Sequence, residues 1–285
     1  MLKRSAADLG RVLEAQRRAA RAGRFRPRAA EQAFGFGEPG NLPALDIVTP
    51  KGRKARLRGF IDRVDLAELA DEMLGVVIDY KRTREKRLDL SRVYHGLSLQ
   101  LLGYLLVLAD RGQTLGGRPI QPAAAFYVSL IEGYRPVDHP SDVEEENAGT
   151  TGAFAPRGVL DIGRMDALDA AFEGSGRSEV YKAARKKADG GIAWIDASDA
   201  AESSDFRRLL EHTRRRLGQW ADGVMDGQVA VRPYRLGTFS PCGWCPYAAV
   251  CRFESGITPV RDLEALKRSQ VFELLQRGHA AAKGG

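Results

Sequence analysis

Two apolar, strand-like runs, "GFIDRVD" at 59–65 and "VIDYKR" at 77–82, each carry an aspartate among residues that belong in a core. A buried carboxylate opposes folding unless it is paired, hydrogen-bonded or bound to a cation. Both runs are rich in β-branched residues, and the polar "ELADEM" between them reads as a turn. A symmetric hairpin centred between Ala70 and Asp71 sets Asp62 opposite Asp79, with Cβ atoms ~4.5–5.5 Å apart. Lys81, two residues after Asp79, shares its face of the strand. Asp65 is offset by three from Asp62, points to the other face and is expected to pair with Arg63 or another basic group. The fold must therefore hold two carboxylates and an ammonium on one side of a strand pair. That is either an ion cluster at a strand edge or a divalent-cation site.

As a cation site it suits Mg²⁺ (or Mn²⁺), with oxygens from Asp62, Asp79 and the backbone carbonyl of Tyr80 and waters completing the octahedron. Lys81 would then orient a water or help to deprotonate it. Downstream, Gln100 and Tyr104 interrupt a leucine-rich helical stripe at i, i+4 and so share one helix face. They read either as core residues with satisfied polar ends or as groups lining the same cleft.

Around this centre the pattern reads helix, three strands, helix, strand. Residues 5–24 form an amphipathic helix, and the arginines of "RRAARAGRFRPR" read as its solvated face. "LDIVTP", "KGRK" and "ARLRGFIDRVDLAE" give a hairpin, "MLGVVIDYK" a third strand, 92–110 an apolar helix and 122–131 a strand. Residues 133–158 are rich in Pro, Gly and acids and read as a loop or linker. Helices are expected over 163–175, 178–188 and 204–226, and again over 259–278. The division is then a core over 1–132, a linker over 133–158, a helical extension with the cysteines over 159–256, and a terminal helix and tail over 257–285. Composition fits an ordinary globular chain, with 44% hydrophobic and 28% charged residues. The net charge of +7 permits a polyanionic partner without requiring one. No apolar run is long enough to span a bilayer and the start lacks a signal-peptide core, so a cytoplasmic chain with no membrane partner is expected. There is no G-x-x-x-x-G-K-[ST] loop, which excludes an NTP-driven motor built on that motif.

All three cysteines, Cys242, Cys245 and Cys251, fall in one C-x₂-C-x₅-C cluster, a pattern of metal ligation rather than of disulfides. Zinc needs a fourth ligand, and none of the four histidines has finger-like spacing.

"GFIDRVD", "VIDYK", "LQLLGY" and the cysteine cluster, in this order, resemble the PD-(D/E)XK nuclease superfamily, and within it the RecB-like branch. That branch includes the C-terminal nuclease domains of AddB-type helicase–nuclease subunits, which are iron–sulfur nucleases. The resemblance covers roughly residues 30–255 and implies an α/β, restriction-endonuclease-like core: a central mixed β-sheet flanked by helices, with a C-terminal Cys-rich segment. It implies Asp62 and Asp79 as metal ligands, Lys81 as the catalytic lysine, and Gln100 and Tyr104 as the helix motif beside the cleft. It also implies that Cys242, Cys245 and Cys251 ligate a [4Fe–4S] cluster, with zinc as the alternative. The branch carries a fourth cysteine and a metal-proximal histidine upstream of the strands. This sequence has neither, although Glu31 could approach the cleft.

The activity expected is metal-dependent hydrolysis of DNA phosphodiester bonds, as an exonuclease in recombination and double-strand-break repair beside a helicase–nuclease partner. The basic run Arg82, Arg84, Lys86 and Arg87 is a candidate DNA contact or a solvated turn. The competing reading is a DNA-binding scaffold with an idle site.

Overall fold

A computed structural model describes residues 2–82, 87–131, 154–172, 174, 176–186, 188, 190–254 and 256–283. The elements that matter are helix α1 (Leu2–Ala22), strands β1 (Arg26–Phe34), β2 (Leu45–Val48), β3 (Lys54–Leu57), β4 (Gly59–Glu68) and β5 (Met73–Lys81), helices α2 (Leu90–Tyr94) and α3 (Gln100–Arg111), and strand β6 (Ile120–Ser129). They are followed by β7 (Arg157–Asp161), β8 (Ala200–Ala201), α4 (Ser203–Met225), β9 (Tyr234–Leu236), β10 (Arg261–Leu263) and α5 (Arg268–Lys283).

Alternation of side chains along β5 builds two cores. Val77 enters one with Leu101, Leu105 and Phe206, while Val76 and Ile78 enter the other with Val12, Phe126 and Met165. A strand buried on both faces needs cover on both. α2, α3, α4 and α5 lie on one side, and α1 with the 162–195 segment lies on the other. Leu101, Leu102 and Leu105 are fully buried, each contributing about 1.5–3 kcal/mol relative to exposure.

The six-stranded sheet has the order β1-β4-β5-β6-β7-β8. β1, β4 and β5 run antiparallel, β5 and β6 are parallel through the α2–α3 crossover, β6–β7 is antiparallel and β7–β8 parallel. A parallel neighbour requires such a crossover, so the sheet is mixed. β7 and β8 come from beyond residue 132, so the expected core boundary cuts through the sheet rather than along its edge.

Several sequence expectations are corrected. The arginine-rich stretch after α1 is an edge strand, β1, in which only Gln32 and Phe34 are buried, so no apolar alternation announces it. β2 and β3 form a two-stranded hairpin of their own, apart from β4. The helix expected over 92–110 is broken. Gly96 takes φ +79 and donates to the Val93 carbonyl, Leu97 donates to that of Arg92, and together they close α2 with a left-handed glycine cap. Gln100 thus opens α3 rather than sitting inside a longer helix. The helix expected over 163–175 ends at Leu168. The one expected over 178–188 is replaced by a short ladder pairing Gly176–Arg177 with Ala184–Arg185. There Ser178 donates its hydroxyl to Asp169 at 2.6 Å while accepting the N–H groups of Val180 and Tyr181. Side-chain bonds of this kind compete with helix formation. Most of the linker expected over 133–158 lies outside the described residues.

α4 is fixed to α2 by His212, whose ring stacks on Tyr94 at 5.2 Å with a 2° interplanar angle. Its Nε2–H donates to the Tyr94 carbonyl at 2.9 Å, and Nδ1 accepts from Arg215 at 3.3 Å. Burial, with help from Arg216, Arg215 and His95, pulls the imidazole down to about 4. The folded protein therefore binds this proton less readily than the unfolded chain. The neutral ring's contribution is complete above pH ~6.5 and is lost as pH falls towards 4, by about 3 kcal/mol. His212→Gln should flatten the melting temperature against pH between 6.5 and 4. An unchanged profile would remove His212 as the source.

Candidate active site

β4 and β5 pair with Arg63 opposite Ile78 and Val64 opposite Val77, and the chain turns between Leu69 and Glu72. Continued by one residue, this register sets Asp62 beside Asp79. The two are joined through the backbone, with the Tyr80 N–H donating to Asp62 Oδ2 at 2.8 Å. Asp79 is 2% exposed. Its Oδ2 forms an ion pair with Lys81 Nζ at 2.7 Å yet accepts no well-aligned hydrogen bond. Burial raises the Asp79 carboxyl above the usual range and Asp62 adds to the rise, while Lys81 opposes it. Burial alone would lower the Lys81 ammonium, but its close contact with the Asp79 charge outweighs that and the net shift is upward.

From Lys81 the polar chain continues across to the covering helix. Lys81 Nζ lies 3.5 Å from Gln100 Oε1, and Gln100 Nε2 donates to the Tyr104 hydroxyl at 2.7 Å. Asp79, Lys81, Gln100 and Tyr104 form one connected row, with Gln100 and Tyr104 one turn apart on α3. Gly59 makes room for this row. A Cβ there would come within 3.1 Å of the Phe34 ring, which sits edge-on to Tyr104 at 6.1 Å. The sequence motifs gave no sign of Tyr127. It stands opposite Asp79 in the β5–β6 register, and its ring lies 5.3 Å from the Lys81 ammonium. Only the parallel pairing of two strands 48 positions apart brings it there.

Asp65 lies on the other face, held by Arg63 through two contacts of 2.6 Å. Arg63 also donates to Gln16 of α1 and to the Tyr80 hydroxyl. On that side every charge is paired through well-aligned hydrogen bonds, whereas on the α3 side the buried Asp79 Oδ2 has only the Lys81 ion pair. Such an oxygen, beside a second carboxylate, fits a divalent cation.

Among the basic run, Arg82 is exposed, and Arg84 and Lys86 lie outside the described residues. Arg87 is turned inward, donating to the carbonyls of Asp196 and Ser198 at 2.8 and 3.2 Å. Its side chain stays 35% exposed. Glu31 is exposed on β1 in a left-handed conformation, φ +48. The three cysteines are free and half-buried. Among the described residues no three His, Cys, Asp or Glu side chains converge to hold a metal ion. Three thiolates fall one short of the usual four for an iron–sulfur cluster. Cys242, Cys245 and Cys251 therefore do not by themselves compose that site. Among the described residues no helix is long and apolar enough to cross a membrane.

Comparison with known proteins identifies the family. Residues 1–252 match the PD-(D/E)XK nuclease superfamily. The B-type subunit of the ATP-dependent helicase/deoxyribonuclease of Symbiobacterium thermophilum is 35% identical over 268 residues, 92% of this chain and 22% of that protein. The proteins of the same name from Geobacillus kaustophilus and Bacillus licheniformis are 34% and 33% identical over 264 and 263 residues, covering 91% and 90% of this chain and 22% of each relative. The chain spans about a fifth of the length of these relatives. With a match that runs through every strand of the six-stranded sheet, this chain belongs to the PD-(D/E)XK nuclease superfamily.

Proposed function

We propose that this chain is a metal-dependent deoxyribonuclease domain that hydrolyses DNA phosphodiester bonds, acting from an end and beside a helicase partner in recombination and repair. The observation that carries the reading is the buried Asp79 oxygen, which accepts no well-aligned hydrogen bond and lies beside Lys81. The names of its relatives, subunits of helicase/deoxyribonucleases, support the DNA substrate and the neighbouring motor.

Asp62, Asp79 and the carbonyl of Tyr80 are the ligands we assign to Mg²⁺ or Mn²⁺. Bound there, the cation supplies Lewis-acid polarisation of the phosphoryl oxygen and lowers the pKa of a bound water. Asp62 is held by the Tyr80 N–H, which fixes its Oδ2. Lys81 is tethered between Asp79 and Gln100, so its ammonium is preorganised where negative charge grows on the phosphate. Gln100 and Tyr104 hold that lysine from the helix side and offer polar atoms to a phosphate oxygen or the attacking water.

Asp79→Asn and Lys81→Met should each lower cleavage of end-labelled DNA by ~10²-fold or more. DNA affinity should stay within a few-fold, because phosphate contacts elsewhere dominate binding. Asp79→Asn should not lower the melting temperature, since it removes a buried charge that lacks a full set of partners. Asp65→Asn should do the reverse, costing about 3 kcal/mol of stability by stranding Arg63 while leaving turnover per folded molecule intact. If Asp65→Asn abolished cleavage and Asp62→Asn did not, the site would lie on the opposite face. DNA binding without cleavage in Mg²⁺ or Mn²⁺ would mark an idle scaffold instead.

For DNA contacts we retain Arg82, Arg84 and Lys86. Neutralising all three should weaken binding without sequence bias and flatten its salt dependence, by a slope of ~0.7–0.9 per lost contact. An unchanged slope assigns the run to solvent.

We keep Cys242, Cys245 and Cys251 as candidate ligands of a [4Fe–4S] cluster whose fourth ligand is not among this chain's cysteines. The purified chain should then hold fewer than four irons and bleach in air. Four stable irons per chain would refute this, and stoichiometric zinc would make the segment a zinc knuckle.

A further inference from the structure

Away from the strand pair, the turn leading into β8 presents Trp194 to solvent at 73% exposure. Its backbone is left-handed, φ +47, a conformation that bulky side chains rarely adopt. The strain is maintained by firm anchors on both sides. Ala193 donates to the Ala184 carbonyl at 2.9 Å, and the Trp194 carbonyl accepts the N–H groups of Ala197 and Ser198 at 2.8 and 2.9 Å. Just beyond, Asp199 is fully buried and held by Arg157 at 2.7 Å. A large aromatic ring is thus displayed on a rigid turn at a conformational cost, which marks it as a candidate for contact.

Beneath the turn lies a cavity of about 180 Å³ lined by Ala183, Ala184, Ala193 and Ala197, with Arg177 and Lys182 in its wall. Neither cation has an ion pair among the described residues, although the neighbouring Arg185 is paired with Glu202 at 3.6 Å. A small apolar recess, a flat exposed ring and two uncommitted cations together suit one ligand class. A nucleobase offers a π-face to the ring, and its sugar-phosphate offers an anion to the cations. A protein partner would also use the tryptophan, but it would have no need of two cations beside a recess that contributes little polar surface.

We propose that Trp194, with Arg177 and Lys182, is a stacking subsite for an unpaired nucleotide of single-stranded DNA. The assignment rests on the nuclease reading and deepens it by naming the form of DNA held. It lies on the segment feeding β8, at the far edge of the sheet from β1, and so is separate from the Asp62–Asp79 pair.

The test is fluorescence titration of the whole chain, without divalent metal, using an oligothymidylate and an abasic strand of equal length. The oligothymidylate should quench emission, and that quenching should be absent from Trp194→Phe, in which affinity stays within a few-fold. Trp194→Ala should weaken oligothymidylate binding by ~10-fold or more while hardly changing binding of the abasic strand. Trp194→Gly should weaken binding equally yet raise the melting temperature, because glycine accepts the left-handed backbone. Arg177→Gln with Lys182→Gln should reduce the affinity for both strands. Equal binding of the two strands by the wild-type chain would overturn the proposal. So would a change in oligomeric state in Trp194→Ala with DNA affinity unaltered, which would make the ring a protein contact. Base-dependent quenching by a chain that cuts no DNA in Mg²⁺ or Mn²⁺ would uphold this subsite while removing the nuclease reading. Cleavage with no role for Trp194 would do the opposite.

Discussion

The antiparallel register between β4 and β5 is the constraint on which the site depends, because side chains in a strand alternate and a slip of one residue would exchange every partner. With Arg63 opposite Ile78, Asp62 and Asp79 emerge on the side covered by α3, and Asp65 emerges on the side covered by α1. The same pairing lets the Tyr80 backbone reach Asp62 at 2.8 Å. Val64, Leu66 and Val77 fill the core on the α3 side, so the register is enforced by burial rather than by the carboxylates themselves. The fold therefore holds in place a pair of acidic groups that would repel each other if left alone.

The two faces of this strand pair are chemically unequal. Beneath α1, the Asp65 carboxylate, the Arg63 guanidinium, Gln16 Oε1 and the Tyr80 hydroxyl make one set in which each charge is paired. That set neutralises its charges internally and contributes to stability, with the Gln16 amide nitrogen alone left without a hydrogen-bond partner among the described residues. Beneath α3, Asp79 is almost wholly buried with a single ammonium as partner, and the row from Lys81 to Tyr104 passes through Gln100, which is exposed. Incomplete satisfaction in a buried place is costly to keep, and it is common where a site awaits a ligand. Trp194 presents the same inequality in backbone form, since its strain sits on the one large ring that the turn into β8 leaves in solvent.

How much of this was legible in advance follows from the range of the forces involved. The hairpin, its turn and the shared face of Asp79 and Lys81 depend on residues within about twenty positions of each other, so alternation along the chain specified them. The apolar runs of β5, α3 and β6 were equally plain, since each must be buried. β1 was missed because an edge strand with arginines outward carries little apolar alternation. The break at Gly96 was missed because the leucines continue past it, and only the left-handed cap reveals that the chain turns. Residues 178–188 were misread because the bonds from Ser178 to Asp169 and back to the main chain outweigh helical periodicity.

The sequence by itself determined which polar groups are local neighbours: Asp79 and Lys81 on one face of a strand, Gln100 and Tyr104 one helical turn apart, and three cysteines in one short cluster. It did so because strand and helix periods are local geometry. Only the tertiary structure decided which of these groups meet. Packing α3 against β5 and β6 brings Gln100 to Lys81, and the parallel crossover brings Tyr127 beside Asp79. The 196–199 segment engages the Arg87 guanidinium through two of its carbonyls. Those contacts join residues far apart in the chain, where the outcome depends on competing burial over the whole sheet and no short window of sequence contains it.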